Sequence, residues 1–221
     1  IEQAEVRVVE GLIDKDYEAS SMVEVFSMVA NKDRRSRLVQ IKAIEENFPF
    51  YGDIELEEKG TLNPEHHKNI KENRKVWIYP ELIRQLGVQV GDSLFIGETE
   101  FQVDDVVKAD AAAGISTNMA PRVYMNKAHL GATGLIKKGS VAWHSVVYRL
   151  QGRNGEQLAD IRDKTFKILD SPEVRVYTHE NVSAQMTALI QRLNDFLGLA
   201  SLVALFLAAV GSAFLFRSYF K

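Results

Sequence analysis

From Phe196 to Phe216 the chain reads FLGLASLVALFLAAVGSAFLF, with no charged side chain and nothing more polar than two serines. As a helix rising about 1.5 Å per residue, this stretch spans about 30 Å, the thickness of a bilayer's hydrocarbon core. A buried core helix is the alternative, but core helices seldom stay apolar on every face for this long. Small residues recur along it (Gly198, Ala200, Ser201, Ala204, Ala208, Gly211, Ser212) and suit close packing against other membrane helices. Residues 196–216 are therefore read as a transmembrane helix, and everything before them as the water-exposed part of a membrane protein.

The remainder has an ordinary globular make-up: 221 residues in all, 46% hydrophobic, 26% charged and a formal net charge of −3. That length accommodates one large domain or two small ones. Every acidic residue lies before Phe196, so the soluble part is modestly acidic and carries no nucleic-acid footprint. The chain has no cysteine, which excludes disulfides, thiolate metal sites and cysteine nucleophiles. It begins at Ile1 without a basic-then-apolar leader and ends at Lys221, soon after the apolar stretch. A segment of a longer protein is the expectation. Arg217 and Lys221 follow the span, while Arg192 and Asp195 offset one another before it. This puts the C-terminal side in the cytoplasm and the soluble part outside.

Residues 1–17 place Val9, Leu12 and Ile13 at helical spacing and predict a helix, although Val6 and Val8 also suit a strand. Ser21–Ala30 and Arg37–Glu45 are β-rich runs around the polar turn Asn31-Lys32-Asp33-Arg34-Arg35, which predicts an antiparallel hairpin. A bend at Phe48–Asp53 precedes a short strand at Ile54–Glu57. Glu58–Arg74 is polar and aperiodic and reads as a loop. Strand Val76–Tyr79 and a helix from Pro80 to the αL stop at Gly87 come next. Strands Ser93–Ile96, Glu100–Val107 and Pro121–Met125 follow, with Asn126 capping a short turn. From Ser140 a long strand leads to a helix, Glu156–Leu169, with Leu158, Ile161, Phe166 and Leu169 on one face. Asp160/Lys164 and Asp163/Lys167 stand at i,i+4 spacing along it. Val174–Tyr177 is read as a strand. Asn181–Asp195 carries Val182, Met186, Leu189, Ile190 and Leu193 along one stripe and enters the apolar span without a breaker.

The predicted fold is α+β: a discontinuous α+β subdomain (1–57 and 140–178) around an inserted β-rich subdomain (58–139). A stalk helix (179–195) then continues into the transmembrane helix (196–216).

No catalytic, cofactor-binding or metal-binding residue emerges. GLIKKGS (134–140) nearly reads as a phosphate loop, but Ser140 stands where the lysine is required and no helix clearly follows. His179-Glu180 opens like a zinc-protease motif, yet Ser183 replaces the second histidine. Glu65-His66-His67 offers ligand types without a matching carboxylate cluster and is read as a solvated loop. Asp104 and Asp105 alternate across a strand and so should not face one substrate. No G-x-S-x-G elbow occurs. Trp77 and Trp143 sit in strand patterns and are read as core. Arg34, Arg35 and Arg37 form a basic cluster in the hairpin turn, read as solvated, with docking as the functional alternative. The long small-residue loop Lys108–Pro121 is either a surface connection or a cargo or partner contact.

Several stretches resemble the extracytoplasmic domain of FtsX/MacB-type ABC transporter permeases of the YbbP-like branch. They are FSMVAN, SRLVQIKAIEENFPFYGDIEL, VWIYPELIRQLGVQVGDSLFIGETEFQVDDVV, APRVYMN, VVYRL and FLGLASLVALFLAAVG. The likeness runs over residues 20–216. It implies that the discontinuous subdomain is porter-like and its insertion sabre-like, and it implies a bacterial inner-membrane location with residues 1–195 periplasmic and a separate ATP-binding subunit. It further implies no enzymatic activity and no cofactor in this segment, and transmission of ATP-driven motion to the periplasmic domain. A hydrophobic or lipid-like cargo and a periplasmic esterase or lysophospholipase partner are also implied. A membrane-anchored module that regulates such a hydrolase without moving cargo is the competing expectation.

Overall fold

The computed structural model describes residues 3–13, 17–111, 120–137, 139–169, 171 and 173–220, the side chains of 3–4, 179–189, 214 and 218 excepted. The described residues divide into two units, at Gly152/Arg153. The first is built on nine strands: β1 (Tyr17–Ala30), β2 (Ser36–Ile44), β3 (Ile54–Leu56), β4 (Gly60–Thr61), β5 (Lys75–Ile78), β6 (Ser93–Ile96), β7 (Thr99–Asp110), β8 (Arg122–Asn126) and β9 (Trp143–Leu150). Three helices accompany them: α1 (Gln3–Leu12), α2 (Pro64–Glu72) and α3 (Pro80–Leu86).

Six strands close on themselves. β1 pairs antiparallel with β2, β2 parallel with β8, β8 antiparallel with β5, and β5 parallel with β7. β7 then pairs antiparallel with β6, and β6 returns to β1 through Val29–Ile96 and Ala30–Phe95. Closure removes most of the open edges that a β-rich segment would otherwise expose. The period-2 pattern sends alternate side chains inward: Val25 and Val29 from β1, Val39 and Ile41 from β2, Val76 and Ile78 from β5, Val123 and Met125 from β8. Leu82 and Leu86 of α3 complete this core. The hairpin β1–β2 and strands β5, β6, β7 and β8 therefore share one hydrogen-bonded ring.

A second, smaller core lies outside the ring. Trp77 and Tyr124, from β5 and β8, pack with Ile70 of α2, with Ile54 and Leu56 of β3, and with Val107. Helix α2 corrects the expectation of a loop over residues 58–74. Asn63 accepts the His66 N–H at its N-terminus, Pro64 opens its first turn, and Ile70 and His67 are buried three residues apart. With only these two buried positions in nine residues, the helix leaves almost no periodic signal. The predicted hairpin, β3, α3 and its left-handed stop at Gly87 (φ 69°) are all present. Lys108–Asp110 extends β7 instead of opening the loop, and residues 112–119 of that loop lie outside the described residues. The β9 strand pairs antiparallel with β1 over Tyr17–Glu24.

In the second unit, α4 (Gly155–Leu169) and α5 (His179–Tyr219) follow one another. Asn154 and Gln157 exchange side-chain and backbone hydrogen bonds at the start of α4, a reciprocal cap. Lys164 pairs with Asp160 at 2.7 Å as the spacing predicts. Asp163, however, is taken by its neighbour Arg162 at 2.6 Å. Phe166 is exposed, and the less exposed stripe runs through Leu158, Ile161, Thr165 and Leu169 instead. Phe166 lies one position too far round for a stripe that advances 100° per residue. Val174–Tyr177 is not a strand: it has no ladder partner among the described residues.

Candidate functional site

Carboxylates at two places along β7 organise the polar chemistry of the strand ring. Asp104 Oδ1 accepts from Asn69 Nδ2 at 2.8 Å and from Lys75 Nζ at 3.1 Å. Its Oδ2 accepts from Trp77 Nε1 at 3.2 Å and lies 2.6 Å from Lys59 Nζ. Burial pushes the Asp104 carboxyl up, but Lys59, Lys75 and the Trp77 indole together outweigh it and hold the group below the usual carboxylate range. Asp105 is fully buried, and its Oδ2 accepts from the Lys59 backbone N–H at 3.0 Å. The two carboxylates thus meet at Lys59, one on its ammonium and one on its backbone. Strict alternation would have kept them apart. The register between β5 and β7 shifts at Val76/Trp77, opposite this pair, and a bulge there brings both inward.

Asp110, at the end of β7, is the second. Its Oδ2 accepts from the Tyr124 hydroxyl at 2.5 Å and the Tyr79 hydroxyl at 2.6 Å, with Arg122 Nη1 at 3.4 Å. Arg122 also donates to the Tyr79 hydroxyl at 2.9 Å and to Gln40 Oε1 at 3.2 Å. Burial, then the Asp110 carboxylate, pushes Tyr79 up to about 12 and Tyr124 further up. Both phenols are therefore neutral donors at physiological pH. These ties join the ends of β5, β7 and β8. Every oxygen of these clusters except Asp110 Oδ1 is engaged by a protein neighbour, which suits clamping strands. Sequence reading missed this cluster. Its only trace is polar and aromatic residues at otherwise apolar strand positions.

The other residues singled out by sequence fall as follows. His67 is buried, edge-on to the Trp77 ring with centroids 5.4 Å apart, and burial, then the neighbouring His66, holds its imidazole below the usual range. It is therefore a packed side chain rather than a solvated one. Trp77 is core, but Trp143 is half-exposed on the outside of the sheet, edge-on to Phe26 at 5.8 Å. Residue 138 lies outside the described residues, and the described part of 134–140 is a turn: Ser140 Oγ accepts from the Lys137 N–H at 2.9 Å and donates to the Leu135 carbonyl at 2.9 Å. The side chains of His179, Glu180 and Ser183 lie outside the described residues. Arg34, Arg35 and Arg37 are exposed in the β1–β2 turn.

Helix α5 is the other prominent feature. It runs 41 residues without interruption from His179 to Tyr219, joining the predicted stalk and span in a single rod. Nothing within it breaks a helix: proline is absent, and the glycines at 198 and 211 are isolated. Within Ile190–Arg217 an 18-residue stretch has a mean hydropathy of 2.4, and none of that stretch is buried within the chain. Leu199, Leu202, Leu205 and Phe206 all face outward. A helix this long and this apolar on all sides matches the solvent of a bilayer core. The side chains of the stripe from Val182 to Leu189 are outside the described residues.

No family model matches the chain. Over 184 residues it is 27% identical to the uncharacterised ABC transporter permease YbbP of Escherichia coli strain K12, a match covering 83% of this chain and 21% of that protein. The chain thus spans about a fifth of the length of that relative. Among solved structures, it is similar to the extracellular domain of the noncanonic ABC-type transporter YknZ from Gram-positive bacteria, with a TM-score of 0.51 at 10% identity, over 77% of this chain and 82% of that one. It is also similar to the periplasmic region of MacB from Actinobacillus actinomycetemcomitans, with a TM-score of 0.51 at 12% identity, over 82% of each chain. The first of these relatives is named as a permease and the second as a transporter. In fold, therefore, this α+β chain is similar to the extracellular domain of YknZ and the periplasmic region of MacB, and in sequence it is similar to an ABC transporter permease.

Proposed function

We propose that this chain is the periplasmic domain and adjoining membrane helix of an ABC transporter permease subunit in a bacterial inner membrane, with residues 1–195 outside the cytoplasm. The observation that carries this reading is the unbroken helix α5, apolar on every side over residues 196–216 and continuous with the stalk that precedes them. A helix transmits axial and rotational displacement because each turn is hydrogen-bonded to the next. Motion generated by a separate ATP-binding subunit is passed along this rod to the domain. The resulting work extracts or exports a hydrophobic or lipid-like compound, with a periplasmic esterase or lysophospholipase as recipient. Within the domain, the porter-like parts are residues 1–57 and 140–178, and the sabre-like part is 58–139.

The test is ATP-dependent extraction of a labelled hydrophobic compound from membranes by the intact complex. Extraction that stops when the ATPase is inactivated is the expected result. If ATP is hydrolysed but nothing leaves the membrane, the domain instead regulates a periplasmic hydrolase without moving cargo. ATP hydrolysis by this chain alone would overturn both readings.

A further inference from the structure

The outer face of the β1–β2 hairpin is left uncovered. Met28 and Leu38 stand directly opposite one another across the two strands, 52% and 51% exposed, and Trp143 beside Phe26 is 50% exposed. Next to them, β1 loses a neighbour. It pairs with β9 up to Glu24 and with β6 only at Val29 and Ala30, so one edge of Val25–Met28 has no strand against it among the described residues. A groove of about 310 Å³ opens at this fork, walled by Phe26, Leu135, Val141 and Trp143. Free edge groups beside an apolar groove are a template for an added extended segment.

The charges beside this face are mainly of one sign. Lys32, Arg34, Arg35 and Arg37 are all exposed in or beside the turn, and none forms an ion pair among the described residues. Asp33 is the one acidic residue between Asn31 and Leu38, on a chain whose net charge is −3. The turn is also held in place: Asn31 donates from Nδ2 to the Leu86 carbonyl at 2.7 Å and accepts the Arg35 N–H at 2.9 Å. On the face itself, the one carboxylate, Glu24, is already neutralised by Lys42 at 3.0 Å.

We infer that this face docks an extended segment of a partner protein that alternates apolar and acidic side chains. Its apolar residues enter the groove and cover Met28 and Leu38, its backbone pairs with the free edge of β1, and its carboxylates meet the arginines of the turn. Tryptophan, phenylalanine, methionine and arginine are the residue types enriched at protein interfaces. A lipid surface fits less well, because the protruding tip Asn31–Arg35 holds no apolar side chain to insert and the apolar residues are set back on the flat of the sheet. The inference does not rest on the transport reading, and its failure would leave that reading standing.

The test places the photoreactive residue benzoylphenylalanine at position 28 or 38 of the full-length protein, irradiates intact cells and sequences the cross-linked peptide. Both positions are exposed, so the probe does not disturb the core. The expected adduct is an acidic, apolar segment of another protein, obtained from both positions and not from the same probe at the exposed Tyr51. Reversing Arg34, Arg35 and Arg37 to Glu should cut its yield by about tenfold, the combined effect of a few exposed ion pairs. Adducts only to lipid or to a second copy of this chain would overturn the inference. So would a segment without carboxylates, a yield indifferent to the charge reversal, or no adduct at all.

Discussion

The indole N–H of Trp77 donates to Asp104 Oδ2 at 3.2 Å, from a tryptophan fully buried beneath helix α2. A buried carboxylate is tolerated because each of its oxygens is met by a donor or an ammonium, Lys59 and Lys75 among them. The cluster ties β5, β7 and the β3–β4 turn together at a bulge.

Asp104→Ala should destabilise the domain by about 3 kcal/mol, because it strands two partly buried ammoniums and the Trp77 N–H. A lowered urea midpoint, followed by tryptophan fluorescence of the detergent-solubilised chain, measures this. The pH dependence has a definite sign. Asp104 sits below the usual carboxylate range in the folded state, so its contribution is complete above about pH 4 and is lost as the pH falls through the folded value. The variant should lose that acid-sensitive part of its stability profile.

Gly97 has φ 56°, and a Cβ added there would lie 2.0 Å from the Thr133 carbonyl oxygen. Gly97→Ala should therefore cost about 3 kcal/mol, combining left-handed strain with displaced backbone. Gly60 has φ 71° with open space around it, so Gly60→Ala should cost only about 1 kcal/mol. Comparison of the two melting temperatures separates close approach from strain.

Tyr79 is held up to about 12 by burial and by Asp110. A group raised in the folded state contributes fully below its unfolded value, near pH 10, and loses that contribution as the pH rises to about 12. Stability measured from pH 9 to 12 should fall in the parent chain and fall less steeply in Tyr79→Phe. Equal slopes would show that the Tyr79 phenol titrates alike in the folded and unfolded states.

Three or four glycines inserted after Asp195 should interrupt the rod between stalk and span, because each glycine in a helix costs about 1 kcal/mol and consecutive ones break it. ATP hydrolysis by the assembled complex should persist while cargo extraction is lost and membrane insertion is kept. Unimpaired extraction would show that α5 does not carry the stroke.

The elements that were legible in sequence are those with strong local rules. The β1–β2 hairpin announced itself by two β-rich runs around a polar turn, α3 by Pro80 and Gly87, and α5 by its uninterrupted apolar length. Helix α2 was not legible, since its two buried positions are too few to set a period. Phe166 was misplaced on α4 because spacing marks a stripe without fixing which side chain falls at its border. The half-exposure of Trp143 was likewise hidden, because strand alternation tells which residues share a face and not whether that face is covered.

The sequence by itself determined the apolar span, the α+β composition and the absence of any recognisable catalytic motif, for these depend on residue types within short windows. Only the tertiary structure decided that six strands close into a ring, that a bulge brings Asp104 and Asp105 to Lys59, and that Tyr79, Asp110, Arg122 and Tyr124 meet. Each of those contacts joins residues from separate strands. Strand register, which one slipped residue would invert, is set by the packing of the whole ring.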